Sequence, residues 1–259
     1  MLGLGVESAA AATVISQGLS LLMMVIFVKR KISVYRLRRS EFRVNIKYLK
    51  MIIKIGFPQM CQFVLTQISF NMISSVINAY GTAHTAAAGA ANRMYSIGVM
   101  IGQAVMASIL TLTAQNLPRA NYNRIYKGLG SGIALSLIAG AVLMLVCEIV
   151  PGPFLSIFTQ DAMVIEVGIP FLRLLVWAFM IENVMFCFFG LLTGAGYTLV
   201  TMACALVTAF AVRYVACLIL SNEAILGFNG IAVAYILAPV VALIIAGLFT
   251  ASGRWKRAR

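Results

Sequence analysis

The chain has 259 residues, of which 62% are hydrophobic and 10% are charged, and its formal net charge at pH 7 is +13. A water-soluble domain of this length does not show such a balance, so the composition predicts a protein with several membrane-spanning segments. In a soluble protein this charge would indicate a nucleic-acid partner. Here the basic residues lie between apolar segments, so we expect the lipid bilayer, and no nucleic acid, as a partner.

Seven apolar segments are long enough to cross a hydrocarbon core of about 30 Å as helices. The predicted fold class is therefore an all-α integral membrane protein with seven transmembrane helices. The segments cover approximately residues 4–28, 52–80, 90–115, 128–150, 164–192, 199–220 and 230–252.

Lysine and arginine are distributed unevenly among the loops, and such a bias sets the orientation of membrane helices. The loop at 29–54 holds ten of these residues and the loop at 81–89 holds none. The loop at 116–127 holds three, and the C-terminal tail holds four. This alternation predicts a multi-pass protein of the plasma membrane with a cytoplasmic C-terminus.

A basic linker separates the first segment from the other six. We divide the chain into the last helix of a first lobe at 1–28, a basic cytoplasmic linker at 29–51, a six-helix bundle at 52–252 and a basic cytoplasmic tail at 253–259. Many secondary transporters are built from two six-helix repeats with the substrate cavity between them. The odd helix count predicts that the chain is a fragment of such a protein, without its first lobe.

The second segment carries a polar series that is unusual for hydrocarbon. Gln67, Asn71, Ser74 and Asn78 fall within roughly a 100° sector of a helix. Such a stripe is either hydrogen-bonding glue between helices or the wall of a water-filled cavity, and the pattern favours neither.

The same segment opens with Gly56 and Pro58. A proline inside a helix removes a backbone donor and can bend the helix, which is common where transporters change shape. A proline that marks the entry of a helix would be equally ordinary.

Glu182 lies near the middle of the fifth segment, next to Asn183. An ionisable group at this depth costs at least a few kcal/mol, so Glu182 is a functional-site candidate. Arg173 stands nine residues earlier, on the opposite helical face, so its partner must come from another helix. Arg213 in the sixth segment is a candidate partner for Glu182.

Nothing in the sequence supports an enzyme or a resident cofactor. The five cysteines lie within or at the ends of apolar segments without C-x-x-C spacing, and His84 is the single histidine. This composition favours small buried residues over a metal or disulfide site. The glycine-rich runs follow no strand and precede no P-loop lysine, so we interpret them as sites of close helix packing.

Short motifs follow one another along nearly the whole chain. They are Gly3-Leu-Gly-Val with the small-residue run to Gln17, Ile55-Gly-Phe-Pro58, Ala79-Tyr-Gly with Ala86 to Arg93, Ala114-Gln-Asn with Ala120-Asn-Tyr-Asn-Arg124, Phe158-Thr-Gln-Asp161, Gly190-Leu-Leu-Thr-Gly-Ala-Gly196, and Gly227 to Pro239. In order and spacing they resemble the multidrug and toxic compound extrusion (MATE) transporters, from the last helix of the first half through the whole second half.

The resemblance implies two six-helix lobes around a central cleft and the export of organic cations or other amphipathic compounds in exchange for protons or sodium ions. In some cation-coupled members a carboxylate stands eight residues before the glycine that opens the G-x-x-x-G segment of this helix. Glu182 stands eight residues before Gly190, so the resemblance assigns the coupling role to Glu182. Those members often have a second carboxylate where this chain has Thr66 and Gln67, a departure that favours protons over sodium ions.

We therefore expect alternating access. In this mechanism Glu182 binds the coupling cation, the region of Gly56 and Pro58 lets its helix bend, and the polar stripe with Asn183 lines the cavity. Two other functions stay open. One is a flippase for lipid-linked saccharides, whose pyrophosphate cargo favours a strongly basic cavity, and the other is an inert truncated membrane protein.

Overall fold

The structure, a computed structural model, describes residues 6–31 and 45–257. Within these ranges it contains helices and turns and no strand, and seven helices are long and apolar enough to cross a membrane. The prediction of an all-α membrane protein with seven spanning helices is confirmed. Most of the predicted linker at 29–51 and the last two residues of the predicted tail lie outside the described ranges.

The helices follow one another in the predicted order. They are α1 (Val6–Lys31), α2 (Ile46–Asn78), α3 (Thr82–Asn116), α4 (Tyr122–Ile149), α5 (Pro151–Ser156), α6 (Ala162–Gly194), α7 (Thr198–Leu220) and α8 (Phe228–Ala251).

Two features of this order differ from the sequence prediction. Helix α3 begins at Thr82 and not near residue 90, because the run of alanines after Thr82 favours helix. The short helix α5 was not predicted; it begins at Pro151, a position where the missing N–H of proline removes no hydrogen bond.

The chain divides into two units, residues 1–50 and 51–259. In the first unit, α1 exposes apolar side chains such as Val14, Leu19 and Met23. An apolar surface of this kind is suited to lipid.

In the second unit α6 is the central helix, since it packs against α3, α4, α5 and α8. The first half of α6 contributes Phe171 and Phe179 to one buried apolar cluster, and the second half contributes Phe189 and Leu192 to another. Glu182 lies on the same helix between these clusters. The fold therefore places the carboxylate inside the unit, away from both ends of α6.

Glycines allow the close approach of α6 to α3. A Cβ atom added at Gly190 would lie 2.6 Å from the carbonyl oxygen of Met106, and one at Gly194 would lie 2.5 Å from that of Leu110. Since neither distance leaves room for a side chain, the glycine pair sets the spacing of the two helices.

The C-terminal residues fold back onto the start of α4. The Trp255 side chain is fully buried, and its Nε1 donates a hydrogen bond to the carbonyl of Thr250 at 3.0 Å. Its ring meets those of Tyr122 and Tyr126 edge to face, with centroids 6.0 and 5.7 Å apart. The described part of the predicted tail is thus packed against the bundle.

Replacing Gly190 by alanine tests the close packing of α3 and α6. The added methyl group would force the helices apart, and we expect the free energy of unfolding to fall by about 1–3 kcal/mol. Denaturant titration of the protein in detergent micelles measures this change.

Gly130→Ala in α4 is the matched control, because a Cβ atom there meets nothing within 4 Å. Alanine favours helix over glycine by roughly 0.5–1 kcal/mol, so this variant should be at least as stable as the original chain. Equal stability of the two variants would contradict the close packing.

Candidate functional site

A cavity of about 760 Å³ is lined by residues of α2, α3, α6 and α8. Apolar and aromatic side chains in its wall alternate with neutral polar ones, among them Gln67, Ser74, Asn92 and Gln103. Of the described residues that line it, Glu182 is the one that carries a charge. The volume falls within the range of about 300–1,000 Å³ that is typical of small-molecule pockets.

The Glu182 side chain is 6% exposed. Its Oε2 atom accepts a hydrogen bond from the hydroxyl of Tyr95 on α3. The Tyr95 ring packs edge to face against Tyr235 of α8, with centroids 5.5 Å apart, and against Phe70 of α2 at 6.4 Å. The carboxylate is thus fixed by one hydroxyl group and backed by three aromatic rings, which we call the aromatic triad: Phe70, Tyr95 and Tyr235.

Arg213 contacts two rings of this triad and is 5% exposed. Its guanidinium carbon stands 4.5 Å from the centroid of the Phe70 ring and 5.8 Å from that of Tyr235. It attracts Glu182 electrostatically, yet within the described residues the two form no direct ion pair. The candidate partner named from the sequence therefore lies near Glu182 but separated from it.

A distortion of α7 positions Arg213. Residues Val207–Tyr214 form a π-helical stretch, and such stretches are rare and frequent at functional sites. The hydroxyl of Ser69 on α2 donates a hydrogen bond at 2.8 Å to the carbonyl of Ala209 inside this stretch. Helix α2 therefore supports the wide turn that carries Arg213.

The structure brings two residues of the predicted polar stripe, Gln67 and Ser74, into the cavity wall with Glu182. Asn71 and Asn78 are exposed and are not among the lining residues. The Asn78 Oδ1 atom accepts a hydrogen bond from the hydroxyl of Thr85 at 3.2 Å.

Asn183 is fully buried and does not line the cavity. Its Nδ2 atom donates a hydrogen bond to the carbonyl of Gly98 at 3.1 Å, and Gly102 leaves room for the side chain. One residue of separation turns Asn183 by 100° from Glu182 around α6, which directs it to the interface with α3.

Gly56 and Pro58 both lie in the interior of α2, and Pro58 is buried.

Three residues of the cavity wall were not predicted as site residues: Asn92, Tyr95 and Tyr235. Asn92 and Tyr95 are three residues apart, so they share a face of α3, and both line the cavity together with Tyr235. The sequence pattern that could have indicated them is a polar residue and a tyrosine on one face of an apolar helix. The sequence does not show which helix this face meets.

Arg173 pairs with Glu148 of α4, with 3.2 Å between its Nε and the Glu148 Oε2. Both side chains are accessible to solvent. As its position on the opposite helical face indicated, Arg173 is not the partner of Glu182.

In the described residues no group of three or more histidine, cysteine or acidic side chains is arranged to hold a metal ion.

Comparison with known proteins identifies relatives along the whole chain. The MatE family model matches residues 58–219. The chain is 23% identical over 259 residues to a probable multidrug resistance protein NorM of Thermotoga maritima, with 98% of this chain and 54% of the relative covered. It is 25% identical over 254 residues to the probable multidrug resistance protein YpnP of Bacillus subtilis, with 98% and 56% covered. The chain spans about half the length of the curated relatives it matches.

Solved structures show the same fold. The chain superimposes with a TM-score of 0.87 on an outward-facing multidrug resistance MATE family transporter, at 18% identity, over 99% of this chain and 58% of that one. For a variant of the Vibrio cholerae MATE transporter VcmN the TM-score is 0.83, at 18% identity, over 97% and 57%. The resemblance inferred from the sequence motifs is confirmed. Because the family model covers more than half of its residues, the chain belongs to the MatE family of multidrug (MATE) transporters.

Proposed function

We propose that the chain forms the second lobe of a plasma-membrane antiporter, which exports organic cations or other amphipathic compounds in exchange for protons or sodium ions. The observation that carries this proposal is the single charged group in the cavity wall, the buried carboxylate of Glu182. A carboxylate at the wall of a largely apolar cavity can take up a cation or a proton from that cavity.

One carboxylate shared by two cations accounts for exchange. At 4 Å and an effective dielectric constant near 20, a carboxylate attracts a cation by about 4 kcal/mol. When Glu182 holds the coupling ion its charge is neutralised, and this attraction for a cationic substrate is lost. Release of the coupling ion restores the attraction for the substrate, so the coupling ion and the substrate bind to Glu182 in turn.

The rest of the wall suits an organic cation. The aromatic triad presents ring faces and edges next to Glu182, and ring faces attract organic cations. Gln67 and Gln103 add neutral hydrogen-bonding groups that can hold water or a polar part of the substrate.

A first lobe is the partner that we propose for the open side of the cavity. Gln67, Ser74 and Gln103 line the cavity and are exposed, although they belong to membrane-spanning helices. Polar groups exposed to hydrocarbon are expensive, so a facing lobe and the water between the lobes would stabilise them. Pro58 inside α2 supplies a point at which this wall can bend. In this arrangement the C-terminus lies in the cytoplasm.

The cavity disfavours the flippase alternative. A pyrophosphate-linked cargo requires cationic side chains, and neither lysine nor arginine is found among the described lining residues. An acidic, aromatic wall favours a cationic substrate instead.

Replacing Glu182 by glutamine tests the coupling role. In cells that express the proposed transporter with both lobes, we expect export of the fluorescent cation ethidium to fall at least tenfold and to lose its dependence on a proton or sodium gradient. Glu166→Gln, an exposed position on the same helix, is the matched control and should leave export unchanged. Export by Glu182→Gln that is unchanged and still cation-dependent would remove Glu182 from the mechanism.

Thiol labelling tests the water-filled cavity. In a Cys61→Ala background, Gln67→Cys should react rapidly with a water-soluble thiol reagent and be protected by ethidium. Val142→Cys is the control, because Val142 is exposed on the apolar surface of α4 and should face lipid. Equal labelling of the two positions would contradict the assignment of Gln67 to an aqueous cavity.

A further inference from the structure

Two opposite charges are buried in the second unit. Among the residues that the structure describes, Glu182 and Arg213 are the buried side chains that carry charge. They lie on different helices, α6 and α7, and the rings of Phe70 and Tyr235 contact the guanidinium group. The proposed function uses Glu182 and gives Arg213 no role.

The neighbours of Arg213 do not neutralise it. The two ring faces attract the guanidinium group but carry no net charge. Its Nε and Nη1 atoms have no hydrogen-bond partner within the described residues. The other titratable groups that contact the pair are Tyr95, bonded to Glu182, and Tyr235, next to Arg213, and a tyrosine hydroxyl is ordinarily uncharged near pH 7. The charge that balances Arg213 is therefore that of Glu182.

We propose that Arg213 is a built-in counter-cation of Glu182, which keeps sodium ions from the carboxylate and leaves the proton as the cation that it exchanges. This inference rests on the proposed coupling role of Glu182 and makes Arg213 the residue that determines ion specificity.

Charge is the first reason for the exclusion of sodium. A sodium ion beside Glu182 would place two cations near one carboxylate in an apolar region, where like charges repel strongly. A proton forms a covalent bond to a carboxylate oxygen, and an organic cation can lie against the ring faces of the cavity wall. A sodium ion has to lose its water to reach the carboxylate and gains neither compensation.

Ligand geometry is the second reason. Transporters often coordinate sodium with carbonyl groups of unwound helices. Helix α6 is continuous from Ala162 to Gly194, so the carbonyl groups around Glu182 are engaged within the helix. A proton needs a single carboxylate oxygen, and the Tyr95 bond uses Oε2 alone.

The π-helical stretch indicates that the position of Arg213 is built into the fold. A regular α-helix through Val207–Tyr214 would direct the arginine differently, and the wide turn is held by the bond from Ser69. A distortion supported in this way around a buried cation favours a specific role over chance placement.

Equilibrium binding of radioactive sodium to the purified full chain in lipid nanodiscs tests the inference, at a pH that ionises Glu182. The original chain and Glu182→Gln should bind sodium equally weakly. Arg213→Met, which keeps much of the side-chain volume, should bind sodium at least tenfold more tightly than the original chain. The double variant Arg213→Met/Glu182→Gln should lose this gain. Arg213→Lys keeps the charge and should behave as the original chain.

Three results would overturn the inference. They are tighter sodium binding by the original chain than by Glu182→Gln, unchanged binding in Arg213→Met, and a gain in Arg213→Met that survives Glu182→Gln. Size-exclusion chromatography shows whether Arg213→Met folds. If it does not, the comparison of the original chain with Glu182→Gln still decides whether sodium is kept from the carboxylate. Arg213→Lys then shows whether a positive charge at this position is sufficient to exclude sodium.

This assay does not depend on transport. A chain that shows the expected binding pattern but whose transporter exports no cation would contradict the proposed function and leave the ion exclusion intact. A transporter that exports ethidium but binds sodium at Glu182 beside Arg213 would contradict the inference alone.

Discussion

Glu182 and Arg213 are buried in a unit whose other described core side chains are uncharged. Each charge alone would cost several kcal/mol to remove from water, so neither is stable there without the other. Rings of the aromatic triad contact the guanidinium group, and the hydroxyl of Tyr95 holds the carboxylate at the cavity wall. The attraction between them thus joins α6 to α7 and keeps a charged group next to the cavity.

The packing of α6 makes this arrangement possible. Gly190 and Gly194 allow α3 to lie close enough for Tyr95 to reach the carboxylate. Asn183 turns to the same interface and donates a hydrogen bond to the backbone of α3. Of the two neighbouring residues, Glu182 therefore lines the cavity and Asn183 joins the two helices. Apolar clusters lie before and after Glu182 along α6 and enclose it on the sides away from the cavity. Together these contacts present the carboxylate to the cavity and to little else.

The sequence predicts the helices well because membrane-spanning segments need long apolar runs, and these are visible without tertiary information. It identifies Glu182 for a related reason, since a charge in such a run is costly. The helical spacing of the polar residues in α2 indicates a polar face. Gln67 and Ser74 of this face lie in the cavity wall, whereas Asn71 and Asn78 do not.

Contacts between helices could not be predicted in the same way. The interior position of Asn183 depends on the rotation of α6 against α3, and the role of Tyr95 depends on which face of α3 meets α6. Tyrosine is common in apolar helices, so neither Tyr95 nor Tyr235 stands out in the sequence. The π-helical stretch around Arg213 depends on contacts such as the bond from Ser69, which joins residues distant in sequence.

A double-mutant cycle tests the central claim, that Glu182 and Arg213 stabilise each other. The free energy of unfolding is measured in detergent micelles for the original chain, Glu182→Gln, Arg213→Met and the double variant. We expect a coupling energy of about 1–3 kcal/mol and a double variant more stable than Glu182→Gln, which leaves the arginine charge uncompensated. Additive effects of the two substitutions, within about 0.5 kcal/mol, would show that the two charges do not stabilise each other.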